Sequence, residues 1–340
     1  MQTLDVSATT ILADVLMFSF WQRWLLVLIP LLLVACSDAT PTPTITPVEP
    51  ASRHDLARHY APIIYQGVAS DQDFIAAVNF DGDWIGNNNW EHQPDGDLRA
   101  FVYHSIIETE THWYVFYAFY HPRDYTDEPC AESDGCHEND MESLEVVVRK
   151  DGTRFGRPMA LFTLAHNHIY LYAFDGSGVK RGTLKVRGKV RIEENHPVVW
   201  VETFGHGIYG KAKILSPHTI RYHPGDDAQR PPSLSAGNVG YALLDIADTL
   251  WLHRHEIGPG KLFDQPFAYR GETLPAAFDG DDWGEDKANP PWGYEQETAH
   301  TSLQRGDFFL DPARAYAVFA HEPGPVAQSY LYNPFLVDHP

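Results

Sequence analysis

Short runs rich in β-branched and aromatic residues alternate with polar turns along most of the chain. Ala100–Ile107 and Trp113–Tyr120 flank the polar stretch Glu108–His112, which predicts a hairpin. Leu144–Arg149 predicts a strand, closed by the turn signal Lys150-Asp151-Gly152. Met159–Leu164, His168–Phe174, Leu184–Ile192, Val198–Phe204 and Thr219–His223 extend the series. Strands this short, with turn residues between them, predict a mainly β fold, a β-sandwich with long loops. Helical spacing is rare. Leu243, Leu244, Ala247, Leu250 and Trp251 predict one helix over Tyr241–His255, and Ser52–His59 predicts a short entry helix. These are the one or two peripheral helices of the expected fold. Beyond Gly258, frequent Pro and Gly predict structured loops wrapping the core. There is no internal repeat, so residues 51–340 are expected to form a single domain with an elaborated C-terminal part.

The N-terminus follows a different pattern. Trp24–Ala35 is an apolar run after Gln22 and Arg23. It falls short of the ~20 residues a spanning helix needs and has the length of a secretory h-region. Its end, Leu33-Val34-Ala35-Cys36, resembles the lipobox of bacterial lipoproteins. That resemblance implies a signal peptide over residues 1–36, with Cys36 lipidated and first in the mature chain. Met1 and Met17 both remain candidate starts. The competing reading is a plain buried or single-pass apolar segment. Residues 37–50 repeat Thr-Pro, which favours an extended tether between lipid and domain. The expected location is the bacterial envelope or cell surface, with the protein exported and membrane-anchored.

Composition narrows the functions further. The chain has 25 Lys+Arg against 46 Asp+Glu, a net charge of -21. That argues against nucleic acid held on a basic surface and is compatible with divalent cations. Walker loop, dinucleotide fingerprint and Gly-x-Ser-x-Gly elbow are absent from the sequence. Cys130 and Cys136 are close enough in sequence to close a short disulfide loop, as an exported chain permits. The alternative is a pair of thiolate ligands beside His137.

The densest chemistry is His137-Glu138-Asn139-Asp140-Met141-Glu142, leading into Leu144–Val148. Asp140 and Glu142 are two apart, so on an extended backbone they share a face. Two carboxylates with an imidazole beside them repel unless they share a cation or proton, and a divalent metal satisfies this. His166 and His168 flank Asn167, and His206 sits in Gly205-His-Gly207, four residues after Glu202. They would complete the metal site, supply a base and acid near it, or satisfy buried hydrogen bonds. The acidic segment Phe80–Trp90 lacks the spacing of an EF-hand and predicts Asx turns. Its Trp84 and Trp90 are alternatively a sugar-binding surface.

Tyr117–Asp124, then Gly135–Glu142, then Val146–Val148 resemble the core of the necrosis-inducing NPP1-like proteins and, more closely, the Vps62-type domain. Val198–Tyr209 and Thr163–His168 resemble further segments of that domain, so the likeness covers roughly Tyr60–Gly210. It implies a β-sandwich and a divalent cation held by Asp124, His137, Asp140 and Glu142. Cys136, Asn139 and Met141 stand where the family has Gly, His and Trp, which removes the expectation of toxin activity. Three oxygens and one nitrogen favour Ca²⁺, Mg²⁺ or Mn²⁺ over structural zinc. Two functions follow. One is a binding module for an envelope glycan, a lipid headgroup or another small polar molecule. The other is a metal-dependent phosphoester or ester hydrolase, in which His166 or His206 is the catalytic base or acid.

Overall fold

The computed structural model describes residues 49–124, 137–166, 168–212, 218–256, 258, 260–263, 267–269, 272–274, 290–293, 303 and 305–336. The proposed signal peptide, Cys36, the tether up to residue 48, Cys130 and Cys136 lie outside the described residues. One compact unit spans Pro47–Pro340. No helix among the described residues is long and apolar enough to cross a membrane.

Helix α1, Arg53–Tyr60, is the expected entry helix. Ser52 caps it, its Oγ accepting from the Asp55 amide at 3.1 Å. Leu56, Ala57 and Tyr60 turn inward.

The mainly β class holds. β1 is Ile63–Gly67, β2 Phe101–Thr109, β3 His112–Asp124, β4 His137–Arg149, β5 Arg157–Ala165 and β6 His168–Ala173. β2 to β6 run as an antiparallel meander. Val186–Lys189 adds to the sheet beyond β6, in parallel. On the other side β2 pairs in parallel with Val239–Asp245, and the path runs on through Thr219–Pro224, β1, His196–Val201 and Ile208–Tyr209. This single mixed sheet curls until its far edge meets the meander, with the rings of Tyr209 and Tyr170 on β6 5.4 Å apart. One face of the meander is covered by helices Arg305–Leu310 and Pro312–Phe319. There Phe308 and Phe309 pack edge-on against Phe116, and Phe308 and Tyr316 against Phe162. Each buried ring of this kind contributes about 1.5–3 kcal/mol.

Four sequence expectations change. Beyond Gly258 the chain is not loop alone, since it forms the helices Arg305–Leu310 and Pro312–Phe319 and a strand, Tyr330–Tyr332, that pairs with β2. Burial of Phe308, Phe309, Tyr316 and Phe319 on the sheet outweighs the Pro and Gly around them. The β3–β4 ladder runs well past its apolar runs, pairing His121 with Asp140 and Phe119 with Glu142. The acidic hexapeptide is therefore the first half of strand β4 itself, within the sheet, and not merely a lead-in to the apolar strand. The helix expected over Tyr241–His255 is instead strand Val239–Asp245 followed by a 3-10 turn, Leu250–His253. Strand partners on both sides satisfy the backbone here, and Asp245 ends the strand by accepting from the Ala247 amide at 2.8 Å. Tertiary pairing thus overrides a helical spacing. Finally, Leu184–Ile192 is broken into Val186–Lys189 and Ile192–Glu193.

Candidate metal centre

Asp124 ends β3, Asp140 lies on β4, and His206 comes from the loop between Val201 and Ile208. One ligand atom from each lies within 4.8 Å of the other two, and all three residues are buried. His206 Nδ1 is 2.8 Å from Asp140 Oδ2 and 4.0 Å from Asp124 Oδ1. The loop is fastened to the same carboxylates, since the Gly205 amide donates to Asp124 Oδ1 at 2.7 Å.

The Gly-His-Gly sequence suits a tight loop. Gly205 and His206 have φ of 67° and 43°, and at Gly205 that backbone favours glycine. A Cβ at Gly207 would stand 2.8 Å from Ala165 Cβ, closer than side chains pack.

A third carboxylate completes the pocket. Asp73 Oδ2 accepts from the amides of Ala69 and Ser70 at 2.5 and 3.0 Å. Its Oδ1 faces His206 Nε2 at 3.5 Å, too poorly aligned for either atom to gain a hydrogen bond. His121 stacks on His206 with centroids 3.8 Å apart and donates from Nδ1 to the Asp73 carbonyl at 2.7 Å.

The two stacked imidazoles are held in opposite charge states. Burial drives His121 well below the ordinary histidine value, and the charge on His206 pushes it the same way. Burial alone would lower His206 too, but its hydrogen bond to Asp140, aided by Asp73, raises it to about 10. His206 is therefore an imidazolium among the carboxylates of Asp73, Asp124 and Asp140. A site that stabilises a buried cation in this way can exchange the proton for a metal ion.

The other candidates are distributed around this group. Glu142 is buried, and its Oε1 accepts from the His166 amide at 2.7 Å. His137 pairs with Asp124 through the β4 backbone, while its side chain lies outside the described residues. His166 takes φ of 57° in the β5–β6 turn, with its side chain about half exposed. Its Nε2 is 2.8 Å from Glu202 Oε1, and this hydrogen bond raises it to about 9. His168 opens β6, its ring 6.4 Å from Tyr170.

Asn139 has a structural part. It sits at φ 56°, which Asn tolerates better than most residues. Its Oδ1 accepts from Asn89 Nδ2 at 2.5 Å and from the Tyr120 hydroxyl at 2.6 Å, and its Nδ2 donates to the Gly86 carbonyl at 2.5 Å. The acidic loop after Phe80 is thereby tied to β3 and β4. Within that loop Asp81 and Asp83 form the expected Asx turns, accepting from the amides of Asp83 and Ile85 at 3.2 and 2.7 Å.

A mainly β sheet that buries an Asp/Asp/His group in its curl defines the class. No protein-family model matches the sequence, and no curated protein matches it. Solved structures do. Necrosis and ethylene inducing protein 2, from the causal agent of cocoa's witches' broom disease, is similar over 58% of this chain and 76% of its own, at 15% identity and a TM-score of 0.33. The non-toxic HaNLP3 protein is similar over 59% of this chain and 78% of its own, at 14% identity and 0.31. NLPPya in complex with mannosamine is similar over 73% and 91%, at 14% identity and 0.33.

Proposed function

We propose that the chain is a metal-dependent binding module of the cell envelope. Asp124, Asp140 and His206 would hold a divalent cation, with His137 and Glu142 as further ligands. This oxygen-rich set suits Ca²⁺, Mg²⁺ or Mn²⁺. Such a cation supplies a Lewis-acid contact for the oxygens of a glycan or polar headgroup. The observation that carries the reading is the convergence of three buried ligand atoms from separate segments within 4.8 Å. Binding is favoured over turnover because both His206 ring nitrogens face carboxylates. His166, raised to about 9, is protonated at neutral pH and is no base.

The hydrolase reading keeps one supporting observation. His166 is a half-exposed proton donor beside the centre. Purified full-length chain, assayed with Ca²⁺, Mg²⁺ and Mn²⁺, decides between the two. The panel holds envelope glycans, headgroup vesicles and the amino sugars glucosamine and mannosamine, which similar NLPPya structures contain. Binding that chelator abolishes, without phosphoester or ester turnover, is expected. Turnover that disappears in His166→Gln would establish the hydrolase instead.

The anchoring belongs to the same proposal. Residues 1–36 would be the signal, Cys36 the lipid attachment and residues 37–50 the tether. A Cys130–Cys136 disulfide would brace the segment between β3 and β4. Mass spectrometry of the mature protein should find a lipid-modified Cys36 at the N-terminus and the two other cysteines joined. An unmodified chain beginning at Met1 or Met17 would refute the anchor, and two free thiols would refute the bridge.

A further inference from the structure

The chain is acidic overall, yet Lys180–Arg191 holds six cations in twelve residues and no Asp or Glu. An ordinary solvated face mixes both signs. Two of the six have acidic partners, Lys189 with Asp175 and Arg191 with Glu193. Among the described residues, no carboxylate pairs with Arg181, Lys185 or Arg187. Those three line one cavity of about 250 Å³, together with Ile169, Thr183 and Leu184. That volume lies just under the ~300–1,000 Å³ of typical small-ligand sites. It fits one compact charged group with little attached to it.

The backbone of this cavity is fixed. Arg181 lies in a two-residue strand paired with Ala320–His321. The amides of Gly182 and Leu184 both donate to the Phe319 carbonyl at 3.2 Å, and that of Thr183 to Val318 at 3.0 Å. Arg187 lies on the strand beside β6, its guanidinium 5.4 Å from the Tyr170 ring centroid. Three cations that have no carboxylate partner among the described residues, held on a hydrogen-bonded frame, repel one another, and an anion between them removes that repulsion. Two are guanidinium groups, whose planar fork matches a phosphate or carboxylate.

We infer that the cavity between Arg181, Lys185 and Arg187 is a second, metal-independent binding site that takes a phosphate- or carboxylate-bearing group. It is separate in residues from the Asp124/Asp140/His206 centre, so it stands whether or not that centre loads metal.

The test titrates the full-length chain, treated with chelator, with inorganic phosphate and separately with galacturonate at low ionic strength, using calorimetry. Saturation at one equivalent is expected with at least one probe. Binding should fall at least tenfold in Arg181→Ala/Arg187→Ala and weaken as salt is raised. These side chains are exposed, so an unchanged thermal midpoint verifies the fold of the variant. Phosphate alone would identify phosphate as the ligand chemistry, and galacturonate alone a carboxylate; either supports the site. No saturable binding of either probe, or equal affinity in the double variant, would overturn it.

Discussion

Asp140→Asn should lower divalent-metal affinity at least a hundredfold, about 2.7 kcal/mol at 1.36 kcal/mol per factor of ten. The substitution is nearly isosteric, so β4 can retain its pairing with β3. What it removes is charge. Asp140 is buried and takes the shortest contact of the group, 2.8 Å from His206 Nδ1. Without that charge the site loses an anionic ligand and also the group that orients His206. Disturbing even the partners that orient metal ligands costs 10- to 100-fold in affinity, and here ligand and orienter are the same side chain. Metal content after gel filtration, with calorimetric titration of the stripped chain, checks the prediction. Glu202→Gln is the control. Glu202 engages His166 and the Tyr209 hydroxyl, outside the three-residue group, so its metal content should match the parent. An Asp140→Asn chain that keeps its full metal complement would place the ion elsewhere.

Much of the scaffold around Asp140 is legible in sequence, because the hairpin is marked by two apolar runs with a polar turn between them. Its length is not. Residues 121–124 and 137–142 are polar, yet they form ladder because hydrogen bonds within the fold satisfy buried side chains such as His121, Asn139 and Asp140. His206 is conspicuous in Gly205-His-Gly207, and the residue spacing shows a candidate base as readily as a ligand. Its meeting with Asp140, 66 residues away, depends on the curl of the sheet, which no local pattern encodes. Asp73 carries only a local signal, the Ser70-x-x-Asp73 capping box of a short 3-10 turn. Nothing in that signal shows that its second oxygen faces His206, which depends on the fold. Asn139 looks like a lost histidine in the motif. Its left-handed backbone and its partners at Gly86, Asn89 and Tyr120 give it a fastening part that only three-dimensional placement reveals.

Ca²⁺ affinity should rise about tenfold per pH unit between pH 7 and 9. In the metal-free chain His206 is raised to about 10, so it carries its proton throughout that range. A ligating imidazole must be neutral, so each ion bound there releases one proton. The slope of log affinity against pH is then close to +1 and levels off near pH 10. Stability of the metal-free chain runs the other way. The folded value of His206 lies above the ordinary histidine value of about 6.5, so its stabilisation is complete below pH 6.5 and is lost as pH climbs towards 10. The thermal midpoint gained on adding saturating Ca²⁺ should therefore widen steadily from pH 6 to 9. If metal is retained but the gain does not vary with pH, then His206 keeps its proton. It would then be the hydrogen-bonded support of Asp140, leaving the carboxylates alone to hold the ion.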